Sequence, residues 1–170
     1  MPSTYEKIQT TTIGTATAIV DFTSIPGTYT DLVIVMNSGV TSGADSAYMR
    51  FNSDTGNNYN IAELYGLGSS DEDQSDHIRS NIIINWSTDI GGPTITSAST
   101  INIMSYAQTT YHKCVMITSG TPSSTYSSYP GISHFGNVWN NTSAIPAIRI
   151  YTANTFVSGS TFSLYGIKAA

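Results

Sequence analysis

The stretch Gly159-Ser160-Thr161-Phe162-Ser163-Leu164-Tyr165-Gly166-Ile167-Lys168 has the clearest strand pattern in the chain. Phe162, Leu164 and Gly166 fall on one side of an extended backbone, and the residues between them fall on the other. This period of two is typical of a half-buried β-strand. A shorter echo, LYGLG at residues 64–68, predicts a second strand that ends in the same Tyr-Gly corner.

Residue usage extends this prediction to the whole chain. Among the 170 residues, 20 are Ile and only 4 are Leu, while Ser and Thr together fill 48 positions. β-branched side chains suit a pleated, half-buried surface, and hydroxyl side chains keep an outer face wet without charge. The sequence therefore predicts an all-β protein.

Alternation and turn residues predict about ten strands, spaced as in an antiparallel, jelly-roll-like β-sandwich. Residues 31–36, DLVIVM, are apolar on both faces, which predicts a central strand that is covered on both sides. The turn DTGNN at residues 54–58 lies between two strand patterns and predicts a β-hairpin. The expected core positions are Leu32, Ile34, Met36, Phe51, Ile103, Phe162 and Leu164.

The domain organisation is expected to be simple, because no linker composition interrupts the chain. Residues 15–170 are expected to form a single β-sandwich domain, long enough to bury about two-thirds of the unfolded surface. Residues 1–14 are expected to be either a first strand or an arm that lies on a neighbouring molecule. Sequence leaves both alternatives open.

The charges are few and unevenly placed. Charged residues make up 10% of the chain and the net charge is −5, which argues against a nucleic-acid partner. All 11 acidic residues lie at or before Asp89, so residues 1–89, with 3 basic residues, carry −8 and residues 90–170 carry +3. This asymmetry predicts a contact with partner proteins that is partly electrostatic.

The most acidic and least periodic segment is residues 67–76. Asp71, Asp73 and Ser75 fit the first ligand spacing of a calcium-binding loop. However, Asp76 stands where that loop needs glycine, and Ile82 stands where it needs a bidentate glutamate. We therefore expect a solvated loop and assign no metal site.

The sequence offers no assembled catalytic motif, and the single cysteine, Cys114, is expected to be buried and unreactive within an apolar strand. His77, His112 and His134 are widely separated and lack the spacing of zinc ligands. The nearest approach to a nucleophile elbow, residues 131–135, ends in Phe135 where glycine is needed. We assign no catalytic, cofactor-binding or metal-ligating residue and expect a protein that is not an enzyme.

No stretch approaches the roughly 20 apolar residues of a membrane span, and the first residues lack the apolar segment of a secretion signal. We therefore expect neither a membrane partner nor secretion, and synthesis in a cytosol-like compartment.

Four groups of phrases occur in order along the chain. They are TYEKI at 4–8, FTSIPGTYTDLV at 22–33, RFNSDTGNNY at 50–59 with LYG at 64–66, and LYGIK at 164–168. Together they resemble a family of small β-sandwich structural proteins of tailed bacteriophage virions. The resemblance implies a jelly-roll protein without catalytic residues, used as a capsid decoration or cement protein, often as a trimer, or as an appended fibre or tail module.

Two functional hypotheses follow from this resemblance. The first is a capsid decoration protein, made in the cytoplasm of the bacterial host, that binds the major capsid protein at the capsid surface as a homotrimer and stabilises the shell. The second is a receptor-binding module of the tail or fibre that binds bacterial glycans. The second hypothesis needs exposed aromatic side chains, for which the candidates are Tyr126, Tyr129 and Trp139.

Overall fold

The computed structural model describes residues 4–41, 45–67, 70–90, 97–121 and 131–168. These residues form an antiparallel β-sandwich of twelve strands, so the predicted all-β sandwich is confirmed with two more strands than the ten expected. The strands are β1 (Tyr5–Thr12), β2 (Thr17–Phe22), β3 (Asp31–Ser38), β4 (Asp45–Phe51), β5 (Tyr59–Leu67), β6 (Ser70–Arg79), β7 (Ile82–Ile90), β8 (Ser97–Ile103), β9 (Lys113–Thr121), β10 (Gly131–Trp139), β11 (Ile148–Phe156) and β12 (Thr161–Ile167).

The two sheets differ in width. The large sheet has the order β1-β12-β3-β8-β9-β10-β5-β6, and the small sheet has the order β2-β11-β4-β7. The pairs β1·β12, β2·β11, β3·β8 and β4·β7 alternate between the sheets, as in one long antiparallel ribbon wound into a jelly roll. The hairpins β5–β6 and β9–β10 interrupt this ribbon and extend the large sheet beyond β8.

The core lies between the facing sides of the two sheets. All seven predicted core residues are fully buried there, which confirms the reading of the alternation. Aromatic rings join the sheets at two places: Phe156 of β11 contacts Phe162 of β12 at 4.9 Å between ring centroids, and Phe51 of β4 contacts Trp139 of β10 at 5.4 Å.

The last strand, β12, follows the predicted pattern, with Phe162, Leu164 and Gly166 buried on its inner side. Gly166 is required there, because a Cβ atom at this position would stand 2.3 Å from Cγ of the Tyr29 ring. The ring of Tyr29, in the connection between β2 and β3, therefore covers the end of β12. Glycine is needed here because it has no side chain. The backbone of Gly166 is not in the left-handed region, so its conformation alone does not require glycine.

A small polar cluster fastens β1 to the same place. The Tyr29 hydroxyl donates a hydrogen bond to the Glu6 carboxylate at 3.2 Å, and the Lys168 ammonium contacts the other carboxylate oxygen at 2.9 Å. Lys168 also lies 5.5 Å from the centroid of the Tyr29 ring, within the range of a cation–π contact. Sequence left open whether residues 1–14 form a strand or an arm on a neighbouring molecule. In the structure they include the strand β1, which pairs with β12 of its own chain.

The predicted hairpin across residues 54–58 is wrong. β4 belongs to the small sheet and β5 to the large one, so the turn carries the chain from one sheet to the other. Turn residues report only that the backbone reverses locally, and the pairing of the flanking strands is decided by distant neighbours.

The structure corrects three further expectations about strands. β3 is covered on its outer side only in part, because Val33 there is buried but Val35 is 45% exposed. The acidic segment is not a loop: its backbone forms β6, paired with β5 at the edge of the large sheet. The two Tyr-Gly corners are not equivalent either, since Gly166 faces the core whereas Gly66 occupies an outward position of β5.

We expect the substitution Gly166→Ala to lower the free energy of unfolding by about 2 kcal/mol, because the added methyl group overpacks against Tyr29. Chemical denaturation of the purified protein measures this change. Gly14→Ala is the matched control, because a Cβ atom at Gly14 meets nothing within 4 Å. Equal stability of the two variants would contradict the packing argument.

Candidate interaction surface

The outer side of the extended part of the large sheet is the most distinctive surface of the described residues. We call it the open face and define it by the outward positions of β8, β9, β10 and β5. These are Ala98, Thr100, Asn102, Cys114, Met116, Thr118, Gly120, Ile132, His134, Gly136, Val138, Asn60, Ala62, Leu64 and Gly66. None of them is Asp, Glu, Lys or Arg, which is unusual for a solvent-facing sheet.

Large apolar side chains stand exposed on and around the open face. Leu64, Met116 and Ile132 lie on it, and Ile132 is 51% exposed. Val35, Ile78 and Met104 border it on β3, on β6 and after β8, and they are exposed as well. Several large exposed apolar side chains on one face of a sheet favour a site of protein–protein contact.

Small residues separate these apolar side chains. A Cβ atom at Gly120 would find only a backbone oxygen at 4.0 Å, and one at Gly136 would find the sulfur of Met116 at 3.9 Å. The packing of the chain therefore leaves room for a side chain at both positions. Because glycine weakens a strand interior, glycines without an internal packing reason favour the close approach of another surface.

The orientation of β9 differs from the sequence-based expectation. Cys114 was expected in the core but is exposed on the open face, so that prediction is wrong. The alternation of β9 instead turns Lys113, Val115 and Ile117 inward. An apolar run such as residues 114–117 does not reveal which of its two sides is buried, and a one-residue shift exchanges them.

Lys113 sets this orientation from the inside. Its fully buried ammonium group donates hydrogen bonds to the backbone carbonyls of Gln108, Tyr111 and Thr142, the last two at 3.0 and 3.1 Å. Burial lowers the pKa of Lys113. The side chain joins the segments before β9 and after β10 at the end of the large sheet. Sequence analysis missed this role because a lysine is ordinarily read as a surface residue.

Most of the described acidic side chains outside β6 make ion pairs or hydrogen bonds with other residues of the same chain. Asp21 makes a two-pronged ion pair with Arg149 at 2.8 Å, and Asp31 accepts a hydrogen bond from the backbone N–H of Ser105 at 2.7 Å. Asp45 is buried and accepts from Thr152 and from the backbone of Asn154. The negative charge that sequence analysis assigned to a partner contact is therefore concentrated at β6, whose acidic side chains lie outside the described part of the structure.

Trp139, one of the three candidate aromatic residues of the receptor-binding hypothesis, is buried in the core. Its side chain is 1% exposed and stacks on Tyr59 with 17° between the ring planes. Its indole N–H donates to the Asp54 carboxylate at 2.7 Å. The inward orientation follows from the alternation of β10, which also buries Phe135. The other two candidates, at positions 126 and 129, lie outside the described residues.

The carboxylate of Asp54 organises the turn between β4 and β5. Besides Trp139, it accepts hydrogen bonds from the backbone N–H of Gly56 at 2.8 Å and from the Asn58 amide at 2.9 Å. Partial burial alone raises the pKa of Asp54, but the hydrogen bonds from Trp139, Asn58 and Gly56 outweigh it and hold the pKa below its ordinary value. The ionised carboxylate is therefore a stabilising element of the fold.

The described residues contain no group of three or more His, Cys, Asp or Glu side chains that could hold a metal ion. His134 lies on the open face, where its Nδ1 is 3.1 Å from the hydroxyl of Thr118. In the same part of the chain, no helix is long and apolar enough to cross a membrane. Comparisons of the chain with family models, curated proteins and solved structures found no match.

We expect Asp54→Ala to lower the free energy of unfolding at neutral pH by about 2 kcal/mol, because hydrogen bonds to a charged group are lost and the buried indole N–H is left without its acceptor. The lowered pKa means that this stabilisation is present above the ordinary carboxyl pKa of about 3.9 and is lost as the pH falls through the folded-state value. The difference between wild type and variant should therefore narrow on acidification.

Chemical denaturation at a series of pH values measures both effects. Thr55→Ala, at an exposed position of the same turn, is the control and should behave as wild type. A pH-independent difference between wild type and Asp54→Ala would show that the charge of the carboxylate is not the cause.

Proposed function

We propose that this chain is a non-enzymatic structural protein of a tailed bacteriophage virion, which decorates the capsid and stabilises it. The observation that carries the proposal is the open face. It is broad, it carries no Asp, Glu, Lys or Arg, and its exposed apolar side chains Leu64, Met116 and Ile132 stand among glycine, alanine and uncharged polar residues. Such a surface suits extended contact with other folded proteins, whereas small-molecule sites are concave and lined with a few converging polar groups.

Size supports a protein partner. The open face together with the bordering strands β3 and β6 has six strands, which at about 4.8 Å apart span about 24 Å, and strands of about eight residues are about 26 Å long. The projected area is therefore about 600 Å², close to the contribution of one partner to a small specific interface. Repeated copies of such a protein could form a layer held by many modest contacts.

The step from protein contact to a virion rests on the sequence resemblance and on the architecture. Jelly-roll sandwiches recur in viral capsid proteins. The expected partner is the major capsid protein, and the expected location is the capsid surface. The resemblance implies a homotrimer, whereas the open face by itself favours pairing; the mass measurement described in the next subsection distinguishes the two.

The receptor-binding alternative has less support. Of its three candidate aromatic residues, Trp139 is buried in the core. Tyr5 and Tyr111 are the described tyrosines with more than half of the side chain exposed, but they belong to β1 and to the segment before β9. Four strand spacings, about 19 Å, separate those strands, which is too far for one sugar ring to stack on both side chains.

We expect particles that lack this protein to lose DNA or to break at a lower temperature than complete particles, because the added contacts across neighbouring shell subunits are missing. Release of DNA during heating, followed with an intercalating dye, measures this. Re-addition of purified protein should restore the wild-type transition. Particles that are equally stable without the protein but fail to adsorb to host cells would support the receptor-binding alternative instead.

Part of the attachment should weaken with salt, because β6 carries Asp71, Glu72, Asp73 and Asp76 within six residues. We expect a variant with these four residues changed to the corresponding amides to rebind stripped particles with a smaller salt dependence than wild type. Rebinding measured by co-sedimentation at several salt concentrations tests this. An unchanged salt dependence would place the electrostatic contact elsewhere.

A further inference from the structure

We infer that two copies of this chain pair face to face through their open faces, around a two-fold axis that runs parallel to the strands and passes between β9 and β10. This inference goes beyond the proposed function and holds for any location of the protein. It rests on the register of the two strands, on the space at two glycines and on the distribution of charge.

The register of β9 and β10 is self-complementary about this axis. Ile132 of β10 is the direct neighbour of Gly120 on β9, and Gly136 of β10 is the direct neighbour of Met116. A half-turn about the axis places β10 of one copy over β9 of the other without moving residues along the strands. Ile132 therefore faces Gly120 of the second copy, and Met116 faces Gly136 of the second copy.

Each of these facing pairs combines an exposed apolar side chain with a glycine. Ile132 and Met116 are each about half exposed, the space above Gly120 is free of side chains, and above Gly136 only the sulfur of the same chain's flexible Met116 side chain comes within 4 Å. When two sheets pack face to face at about 10 Å, the side chains of one fill the gaps of the other. The two-fold axis repeats both pairs, which gives four such insertions at the centre of the contact.

Charge selects the direction of the axis. An axis across the strands would lay the acidic strand β6 of one copy on β6 of the other, and the like charges would repel. The axis along the strands instead places β6 over β3 of the second copy, because both strands lie equally far from the axis. The outward positions of β3 there include Val35 and Asn37, which carry no charge.

The same neutrality explains why a second copy is a suitable occupant. Each chain carries a net charge of −5, so two copies meet with least repulsion through a surface whose central strands carry no Asp, Glu, Lys or Arg. The projected area of about 600 Å² on each copy gives about 1,200 Å² in total, which reaches the lower end of specific protein–protein interfaces. A dimer of moderate affinity is therefore expected.

Sedimentation of the purified protein at micromolar concentrations tests the pairing. We expect wild type to have twice the chain mass of 18.2 kDa. Ile132→Asp should weaken the association by at least about tenfold, since it places a charge in the contact, and Gly120→Leu should do the same by filling the gap opposite Ile132. Ile19→Asp is the matched control: Ile19 is 45% exposed on the small sheet, and its replacement should leave the dimer intact.

A size exchange tests the axis itself. The double variant Ile132→Gly with Gly120→Ile again places an isoleucine opposite a glycine of the second copy, so it should pair although Gly120→Leu does not. Cys114, the single cysteine, faces Val138 of the second copy in this arrangement. Its reaction with a maleimide should therefore slow as the concentration of wild-type protein rises, but not for Ile132→Asp.

Circular dichroism and thermal unfolding establish that each variant is folded before its mass is compared. A wild-type monomer, a trimer, or a dimer that survives Ile132→Asp would overturn the inference, as would failure of the size-exchanged variant to pair. Pairing covers the open face, so a dimer binds particles through its remaining surface, and the capsid assays test that binding separately. A dimer that does not bind particles would contradict only the proposed function, and a monomer or trimer that binds them would contradict only the pairing.

Discussion

The apolar contact between the two sheets is the interaction on which the rest of the structure depends. It is made by inward side chains of both sheets, and at each side of the sandwich an aromatic pair joins them: Phe156 with Phe162, and Phe51 with Trp139. In the second pair, Phe51 lies on β4 of the jelly-roll ribbon and Trp139 lies on β10 of the hairpin β9–β10 that interrupts the ribbon. The insertion therefore shares the core of the sandwich, and the open face on its outer side has a rigid support. A protein-binding surface that is supported in this way loses little conformational entropy on binding, because its backbone is already ordered.

The phrases that resemble phage structural proteins contribute mainly to fastening the fold. Glu6, Tyr29, Gly166 and Lys168 come from three of them and meet in one cluster at the end of the large sheet. The phrase at residues 50–59 contains Asp54, whose carboxylate holds its own turn and the indole of Trp139. None of these five residues belongs to the open face, to which the phrases contribute only Leu64 and Gly66. A chain could keep all of these phrases and still differ at the other positions of the open face, so the resemblance informs us about architecture more directly than about the partner.

Sequence alternation predicted the parts of the fold that are governed by local periodicity. Leu164 was placed correctly because its neighbours Ser163 and Tyr165 mark the opposite side of the strand. Ile34 lies in a run that is apolar on both sides, so its burial followed from the hydrophobicity of the run and not from a polar marker. Cys114 was misplaced because the apolar run around it has no polar marker, and the deciding residue, Lys113, is a buried cation whose carbonyl partners come from distant segments. The turn at residues 54–58 was recognised, but its sheet-to-sheet role depends on pairing with β11 and β10, which lie about 80 residues or more away. The open face could not be predicted, since its uncharged character emerges only when four strands from separate parts of the chain lie side by side.

The positions of β11 and β12 have a consequence for how the protein is made. β12 lies between β1 and β3, and β11 lies between β2 and β4, so the two strands that come after the other ten in the sequence occupy interior places in the two sheets. Until residues 148–167 have left the ribosome, β1 and β2 have no neighbour in either sheet, and the earlier strands expose unpaired edges. Such edges are templates for association with other chains. Neither sheet can therefore be completed before β11 and β12 have emerged, and the part of the chain that emerges earlier holds all 11 acidic residues but only four basic ones. This excess of negative charge, densest at residues 71–76, makes unfinished chains repel one another until the two strands are in place.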